Sequence, residues 1–564
     1  MPSSIISPQT SVSALSEDTL LRIFLFNADM SIPRDRKRTV IPDDFCLDDI
    51  GHLPLPNPSA LMSTINASHV CRDWRRALIS SPKSASIWGR LLDFNTMHRP
   101  DFIEEIWNRA GNMSPLSISG TVSYPSRACQ LVFKILKGHW HRMENIAVYV
   151  NPLAPISPQD QWTWNTISKP APKLRTFTFS FMNQLTPFPV LLTDHAPALR
   201  VFRSDPSAPL SLTAPWLSRL THLGICGADG PPSSFGLPAL LGALSHMPQL
   251  HTLELLSTKI ASPRRSDDLP TALRLHGLQK FIMHDRADIC FAVLRQVDLH
   301  HTCVLVISSS VPDMDWDDEF RGFHECLEGY LKERFYNDRI FIDLQPTYAF
   351  FTDGHGQSLP PPTTEIRVHY RYSHVGGPNA RTFFDMLAVG IKLNNVKDLE
   401  LRLNIYHNND QTFRSFFACL TSVRVLKTTV SGMQHLLRAS PSVSHSYIPN
   451  ELILLPQLHR LRMIAHKDRE IEVGNLWSIF EASRFPETQL GPLFVNDFRR
   501  LFRLRRVPHL DVRNCFGDLT ELDSCTGLRV TWKDARDRYS YGDIGEYICG
   551  TGNGPLLDIP DPDN

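Results

Sequence analysis

One short phrase recurs along this chain and limits what it can fold into. It reads APKLRTFTF at 171, APALRVFRS at 196, LSRLTHLGI at 217, MPQLHTLEL at 247 and LHGLQKFIM at 275, then VKDLELRL at 396, LTSVRVLKT at 420 and LPQLHRLRM at 455. The alternation L-x-x-[LF]-x-[LIFM] predicts a strand that turns its apolar side chains to one face. The lead residues of the first five copies, Leu174, Leu199, Leu220, Leu250 and Leu278, are separated by 25, 21, 30 and 28 residues. LPALLGALSHM before the fourth copy and ARTFFDMLAVGI before the sixth have the spacing of covering helices. DFIEEIWNRAGNMSPLSISG and RACQLVFKILKGHWHRMENIAVYV each read as a helix followed by a strand. A single L-x-x-L-x-L is common in any α/β protein, but eight quasi-regular copies predict stacked units, because no one unit can bury its apolar side alone.

The periods lie in or just beyond the roughly 20–29 residues of leucine-rich repeats. The Asn that follows the leucines in ordinary repeats of that kind is absent, with Ala228 and Thr258 at the corresponding places. The expectation is therefore an irregular, leucine-rich-repeat-like α/β solenoid over residues 96–530, followed by a partly disordered tail over 531–564. The phrase lapses between about 308 and 362. There Phe320, Phe323, Leu327 and Leu331 form a helical stripe, RIFIDLQ reads as a strand, and TDGHGQSLPPPTTE reads as an inserted loop. Beyond Leu461 the pattern fades.

The first hundred residues have a different texture. In SALSEDTLLRIFLF, Leu15, Leu20, Ile23 and Phe24 have helical spacing, Ser16 is placed to cap, and Glu17 and Asp18 sit at the positive end of the helix dipole. Residues 27–60 read as a long Pro-rich loop whose RDRKR run (Arg34 to Arg38) reads as a solvated loop run, with a nuclear-import patch as the weaker reading. A single second helix is expected through ALMSTINASHVCRDWRRALIS, with Val70, Trp74, Ala77 and Leu78 on its inner stripe and Arg72, Asp73, Arg75 and Arg76 outside. SSPK breaks it, and Ile87, Trp88, Leu91 and Leu92 begin a third apolar turn. On periodicity alone, Trp74 and Trp88 are core residues of a small all-α three-helix unit over residues 10–95.

The order of these features resembles the F-box. Leu15, Asp18, Leu20, Ile23 and Phe24 match its first element, Val70, Cys71, Arg72, Trp74, Arg75 and Ala77 or Leu78 match its second, and Ile87 and Trp88 stand for its Leu-Trp. Ser16 replaces the family's proline, Thr19 its hydrophobic residue, and the intervening loop is long. The resemblance implies a non-enzymatic substrate receptor of an SCF-type ubiquitin ligase, docking to a Skp-type adaptor and its cullin complex through Leu15, Leu20, Ile23, Phe24 and Val70. Cys71, Trp74, Leu78, Ile87 and Trp88 would then form the F-box core. A protein substrate would bind the repeat region. The alternative is a stand-alone repeat scaffold whose F-box has decayed; an enzyme without a recognisable motif is a weaker third reading.

Composition agrees with such a protein and offers no chemistry. Lys plus Arg number 58 and Asp plus Glu 58, so no global field recommends nucleic acid or an anionic membrane as partner. Eleven cysteines without a C-x-x-C pair suggest reduced thiols. No signal-type segment and no long apolar run occurs, which points to a cytoplasmic or nuclear protein and argues against use of the sequons at Asn66 and Asn112. Asp313, Asp315 and Asp317 lack the Gly and the bidentate acid that an EF-hand requires after them. GTGNG at 550–554 precedes no helix, and the paired histidines His139 and His141, or His300 and His301, have no third ligand at metal spacing. Cys71 beside Arg72 reads as a packed thiol, not a nucleophile. No catalytic residue, metal or cofactor is expected.

Overall fold

The computed structural model describes residues 15–28, 59–95, 99–153, 165–181, 192, 195–204, 211–226, 235–258, 260 and 273–311. Further on it describes residues 325–327, 330–331, 338–345, 348–353, 364–370, 384, 387, 393–403, 410–439 and 455–464, then 490, 492–505, 507–512, 517–533, 544–552 and 557–559. The RDRKR run, the Asp313 to Asp317 acids, Phe320, Phe323, most of the Pro-rich insertion, most of ARTFFDMLAVGI and most of the tail lie outside the described residues. The chain is an α/β protein with large parallel sheets. It divides into two compact units, 1–278 and 279–564, so the division expected at residue 95 falls inside the first unit.

The first unit opens with α1 (Glu17–Asn27), α2 (Ser59–Ser68), α3 (Arg72–Arg75), which widens into a π-turn over Arg76–Ser80, and α4 (Ala85–Trp88). Then come β1 (Leu92–Asp93), α5 (Pro100–Ala110), β2 (Leu116–Tyr124), α6 (Arg127–His139) and β3 (Met143–Pro152). They are followed by β4 (Thr176–Phe181), β5 (Val201–Ser204), β6 (His222–Cys226), α7 (Leu237–Ser245), β7 (Thr252–Leu256) and the short β8 (Leu273–Arg274). Strands β1 to β7 pair in chain order and all in parallel. Because β1 pairs with β2, Leu92 opposite Ile118, the helical segment is tied directly to the sheet.

The recurring phrase has a constant local geometry. The amide of each lead leucine donates to the carbonyl three residues earlier: Leu174 to Ala171, Leu199 to Ala196, Leu220 to Leu217, Leu250 to Met247 and Leu278 to Leu275. All five lead leucines are buried. This turn delivers the chain into the strand, and the next apolar positions line up across strands, Ile146 with Phe177, Phe202, Leu223 and Leu253. Phe177 and Phe202 stack with ring centroids 5.6 Å apart, and Phe202 lies 5.2 Å from Trp216. α6 packs on β2 and β3.

The second unit contains β9 (Lys280–Arg286), α8 (Ala287–Leu294), β10 (Val297–Asp298), β11 (Val304–Val311), β12 (Arg339–Gln345), β13 (Tyr348–Thr352) and β14 (Thr364–Tyr370). It continues with β15 (Asp398–Leu403), α9 (Asp410–Cys419), β16 (Val425–Thr428), α10 (Val430–Ala439), β17 (Arg460–Met463) and α11 (Pro492–Arg505). The last elements are β18 (His509–Asp511), β19 (Gly517–Asp518), β20 (Arg529–Lys533), β21 (Ile544–Ile548) and β22 (Asp558–Ile559). β11 lies between β9 and β14, parallel to both. β14 pairs antiparallel with β13, β13 antiparallel with β12, and β12 parallel with β15. From β15 the row runs in parallel through β16, β17, β18 and β20, and β21 closes it antiparallel.

The stretch where the phrase lapses is thus a reversed meander, β12 to β14, set between two parallel runs. Of the helical stripe expected there, Leu327 and Leu331 are described, helical and buried. The fading expected beyond Leu461 does not occur. Leu461 aligns with Leu510, and Leu510 with Val530, all fully buried, so the parallel row extends two strands further. The phrases behind them, VPHLDV and TGLRVTW, were hidden by charged residues at the alternate positions and by the Arg-rich α11 that precedes both.

Candidate functional site

The N-terminal helices leave the first candidate surface. Ser16 caps α1, its Oγ accepting from the Thr19 amide at 3.3 Å and pairing with the Thr19 hydroxyl at 2.9 Å. The inner side of α1 carries Leu20, Leu21 and Phe24, all buried. Phe24 meets the half-buried Trp74 edge to face, centroids 5.1 Å apart. Trp88 is buried, donates its indole N–H to the Leu78 carbonyl at 2.7 Å and carries the Arg109 guanidinium over its ring at 4.9 Å. Leu78 and Ile87 complete the small core.

The second helix departs from the sequence expectation. It is two helices, broken at His69 and Val70, with Cys71 fully extended (φ −154°, ψ 172°) before α3. The break is satisfied locally: Ser68 Oγ donates to the Ile65 carbonyl at 2.6 Å, and Arg75 Nε donates to the Ser68 carbonyl at 3.1 Å. Val70 and Cys71 therefore leave the inner stripe and are exposed, Val70 at 63%. The core role expected for Cys71 is corrected accordingly. The residues expected to meet an adaptor divide into two sets. Leu20 and Phe24 are core and present no surface, whereas Leu15, Ile23 and Val70 are exposed. Periodicity missed two further exposed apolar side chains, Phe26 at 69% and Met62. Ile23 and Phe26, three apart, share one side of α1.

A shallow groove between α1 and α4 is lined by Asp18, Leu21, Arg22, Leu25, Lys83 and Ile87. At its rim Lys83 Nζ lies 2.7 Å from Asp18 Oδ1. The hydrogen bond and charge of Lys83 hold the Asp18 carboxyl below its ordinary range, and Asp18 raises Lys83 in return. Both side chains are exposed, so this pair orients more than it stabilises.

A second candidate surface is the face of the second sheet opposite its buried leucines. One row across it is Arg339, Asp398, Val425, Arg460, His509 and Arg529. The next is Phe341, Glu400, Lys427, Arg462, Asp511 and Thr531, with Glu546 beyond. Asp398 is shared by Arg339 at 3.4 Å and Lys427 at 3.2 Å. Asp511, with no exposed side chain, is shared by Arg460 at 2.5 Å and Arg462 at 3.9 Å. Arg402 pairs with Glu400 at 2.8 Å and Arg529 with Glu546 at 2.5 Å. Burial and then the charge of Arg460 push the His509 imidazole below its ordinary value, and its Nε2 lies 3.0 Å from Thr531 Oγ1.

Among the described residues no cluster of His, Cys, Asp and Glu could hold a metal ion. His139 bonds Arg142 Nη1 at 3.3 Å, and His300 and His301 stack on each other. The nine described cysteines are thiols, and burial raises those of Cys290, Cys326, Cys419 and Cys525, and that of Cys549 to about 12. Such thiols are poor nucleophiles. Among the described residues no helix is long and apolar enough to cross a membrane. No protein-family model matches the chain, and no curated protein matches it.

Proposed function

We propose that this chain is a substrate receptor of an SCF-type ubiquitin ligase, with an F-box-like helical unit that engages a Skp-type adaptor and a leucine-rich-repeat-like array that holds a protein substrate. The observation that carries the reading is the pairing, in one small helical core, of Trp74 and Trp88 with Phe24, Leu78 and Ile87, while Ile23 and Phe26 on α1, and Leu15 just before its cap, stay uncovered. Uncovered apolar side chains beside a capped helix are what an adaptor interface would need. Support for a repeat array comes from strands that follow one another in chain order and in parallel, each led by the same leucine turn. In this reading the protein performs no bond chemistry itself.

The test is capture of the full chain by a purified Skp-type adaptor. Wild type should be retained, and the double variant I23D/F26D should lose retention while keeping wild-type circular dichroism, because neither residue is core. Failure of the folded wild type to bind would leave the second reading, a stand-alone interaction scaffold. That reading draws on the exposure of Val70 and Cys71, which the helix break removes from the places the F-box pattern gives them.

A further inference from the structure

The face of the first sheet opposite its buried leucines holds a sulfur inside an ion pair. His222, Gly224 and Cys226 alternate along β6 and so share one side of it. Gly224 leaves room for the Arg203 side chain, coming from β5, to lie across that strand. The guanidinium, only 9% exposed, divides its donors: Nη1 lies 3.3 Å from Glu254 Oε2 on β7, and Nε donates to Cys226 Sγ at 2.9 Å. Glu254 is itself shared, because His222 Nε2 lies 3.5 Å from the same oxygen. The single Nε–H is thus committed to sulfur. A thiol accepts such a bond weakly, whereas a thiolate accepts it with charge assistance, which is what a guanidinium taken out of water requires. Burial works against the charge of Arg203, yet Cys226, then Glu254 and Tyr149, hold it above its ordinary value. Cys226 itself is only half-buried.

We propose that Cys226 is a reactive thiolate, held by Arg203, and the site at which peroxide modifies this chain. The sulfur attacks one peroxide oxygen, an S–O bond forms and the O–O bond breaks. The hydroxide released takes the proton that the thiol gave up. One thiol and one hydrogen peroxide thus give one sulfenic acid and one water, with sulfur oxidised and peroxide reduced. A partly accessible sulfur beside a cation is the environment in which cysteines react. Cys326 shows what happens without that access: it too meets an arginine, Arg295, but burial outweighs the contact and its thiol is raised. The inference goes beyond the ligase reading and stands without it.

The test follows alkylation of the full chain by iodoacetamide, read at Cys226 by peptide mass spectrometry, beside N-acetylcysteine amide as the standard thiol. The rate at about pH 6 divided by that at about pH 9 cancels differences in access and reads the thiolate. For Cys226 this ratio should exceed the standard's about tenfold. R203Q should bring it down to the standard's, and E254Q, which releases the guanidinium to sulfur, should raise it. Circular dichroism confirms that each variant is folded; if R203Q does not fold, E254Q decides. With dilute hydrogen peroxide and dimedone as the trap, wild type should carry the sulfenic adduct at position 226 and C226S should carry none there. A ratio equal to the standard's, a ratio unmoved in the folded variants, or no sulfenic adduct at Cys226 overturns the inference.

Discussion

The two sheets use the face opposite their buried leucines in different ways. In the first unit the row running from β1 to β7 is Asp93, Ser119, Ala147, Thr178, Arg203, Gly224 and Glu254, small or neutral except at its ends and at one cation. Arg203 reaches two strands over to Glu254 at 3.3 Å, and the guanidinium also touches Cys226 Sγ at 2.9 Å. It can do so because Gly224 lies beneath it; a Cβ there would stand 2.6 Å from Arg203 Cγ. Both charged side chains are about nine-tenths buried. In the second unit Arg460 and Arg462 remain about one-third exposed, and Arg529 half exposed. Charge in the first sheet is an internal strut. Charge in the second stays partly in contact with solvent at Arg460, Arg462 and Arg529.

This contrast can be broken by removing one carboxylate from each sheet. Glu254→Leu strands Arg203 in a buried site and should cost about 3 kcal/mol of stability, seen as a lower urea midpoint of the full chain followed by tryptophan fluorescence. Gly224→Val, which pushes Arg203 off β6 without deleting either charge, should cost about 2 kcal/mol by the same measurement. Asp511→Asn leaves Arg460 and Arg462 able to turn to water, so its cost should be smaller, about 1 kcal/mol. A loss as large as that of Glu254→Leu would show that the second face is a strut as well.

The first unit also buries Arg142, whose Nε donates to the Ser114 carbonyl at 2.7 Å and whose Nη1 meets His139 Nδ1. Burial, then the charges of Arg142 and His141, hold the His139 imidazole below its ordinary 6.5. The unfolded chain takes up this proton near 6.5 and the folded chain only at lower pH. Stability is therefore full above 6.5 and is lost as pH falls from there through the folded value. His139→Asn should flatten that part of the stability profile measured between pH 7 and pH 5. The smallest effect belongs to Glu546→Gln on the rim of the second sheet, expected within about 0.5 kcal/mol of wild type.

Much of the α/β layering was legible in the sequence because its signal is periodic. The lead leucines, the covering helix at 237–245 and the strand RIFIDLQ all follow from apolar spacing. What was not legible depended on partners distant in sequence or on local backbone satisfaction. The helix break at Val70 turns on Arg75 reaching the Ser68 carbonyl, which no periodicity contains. The late strands β18 and β20 were masked by His509, Asp511 and Arg529, whose charges belong to the outer face. Of the candidate site, Leu15 and Ile23 could be read from the first helix, whereas the Lys427 and Arg462 juxtaposition appears only once register is known.

The reversed meander has a consequence for how such a chain can vary. β12 offers β15 a parallel edge, and β14 has already completed the edge of β11, so each parallel run ends on strands supplied by the insert. The insert behaves as a splice between two tracks laid in the same direction. Units could be added to or lost from either track without shifting the register of the other, because neither copies its alignment from its counterpart.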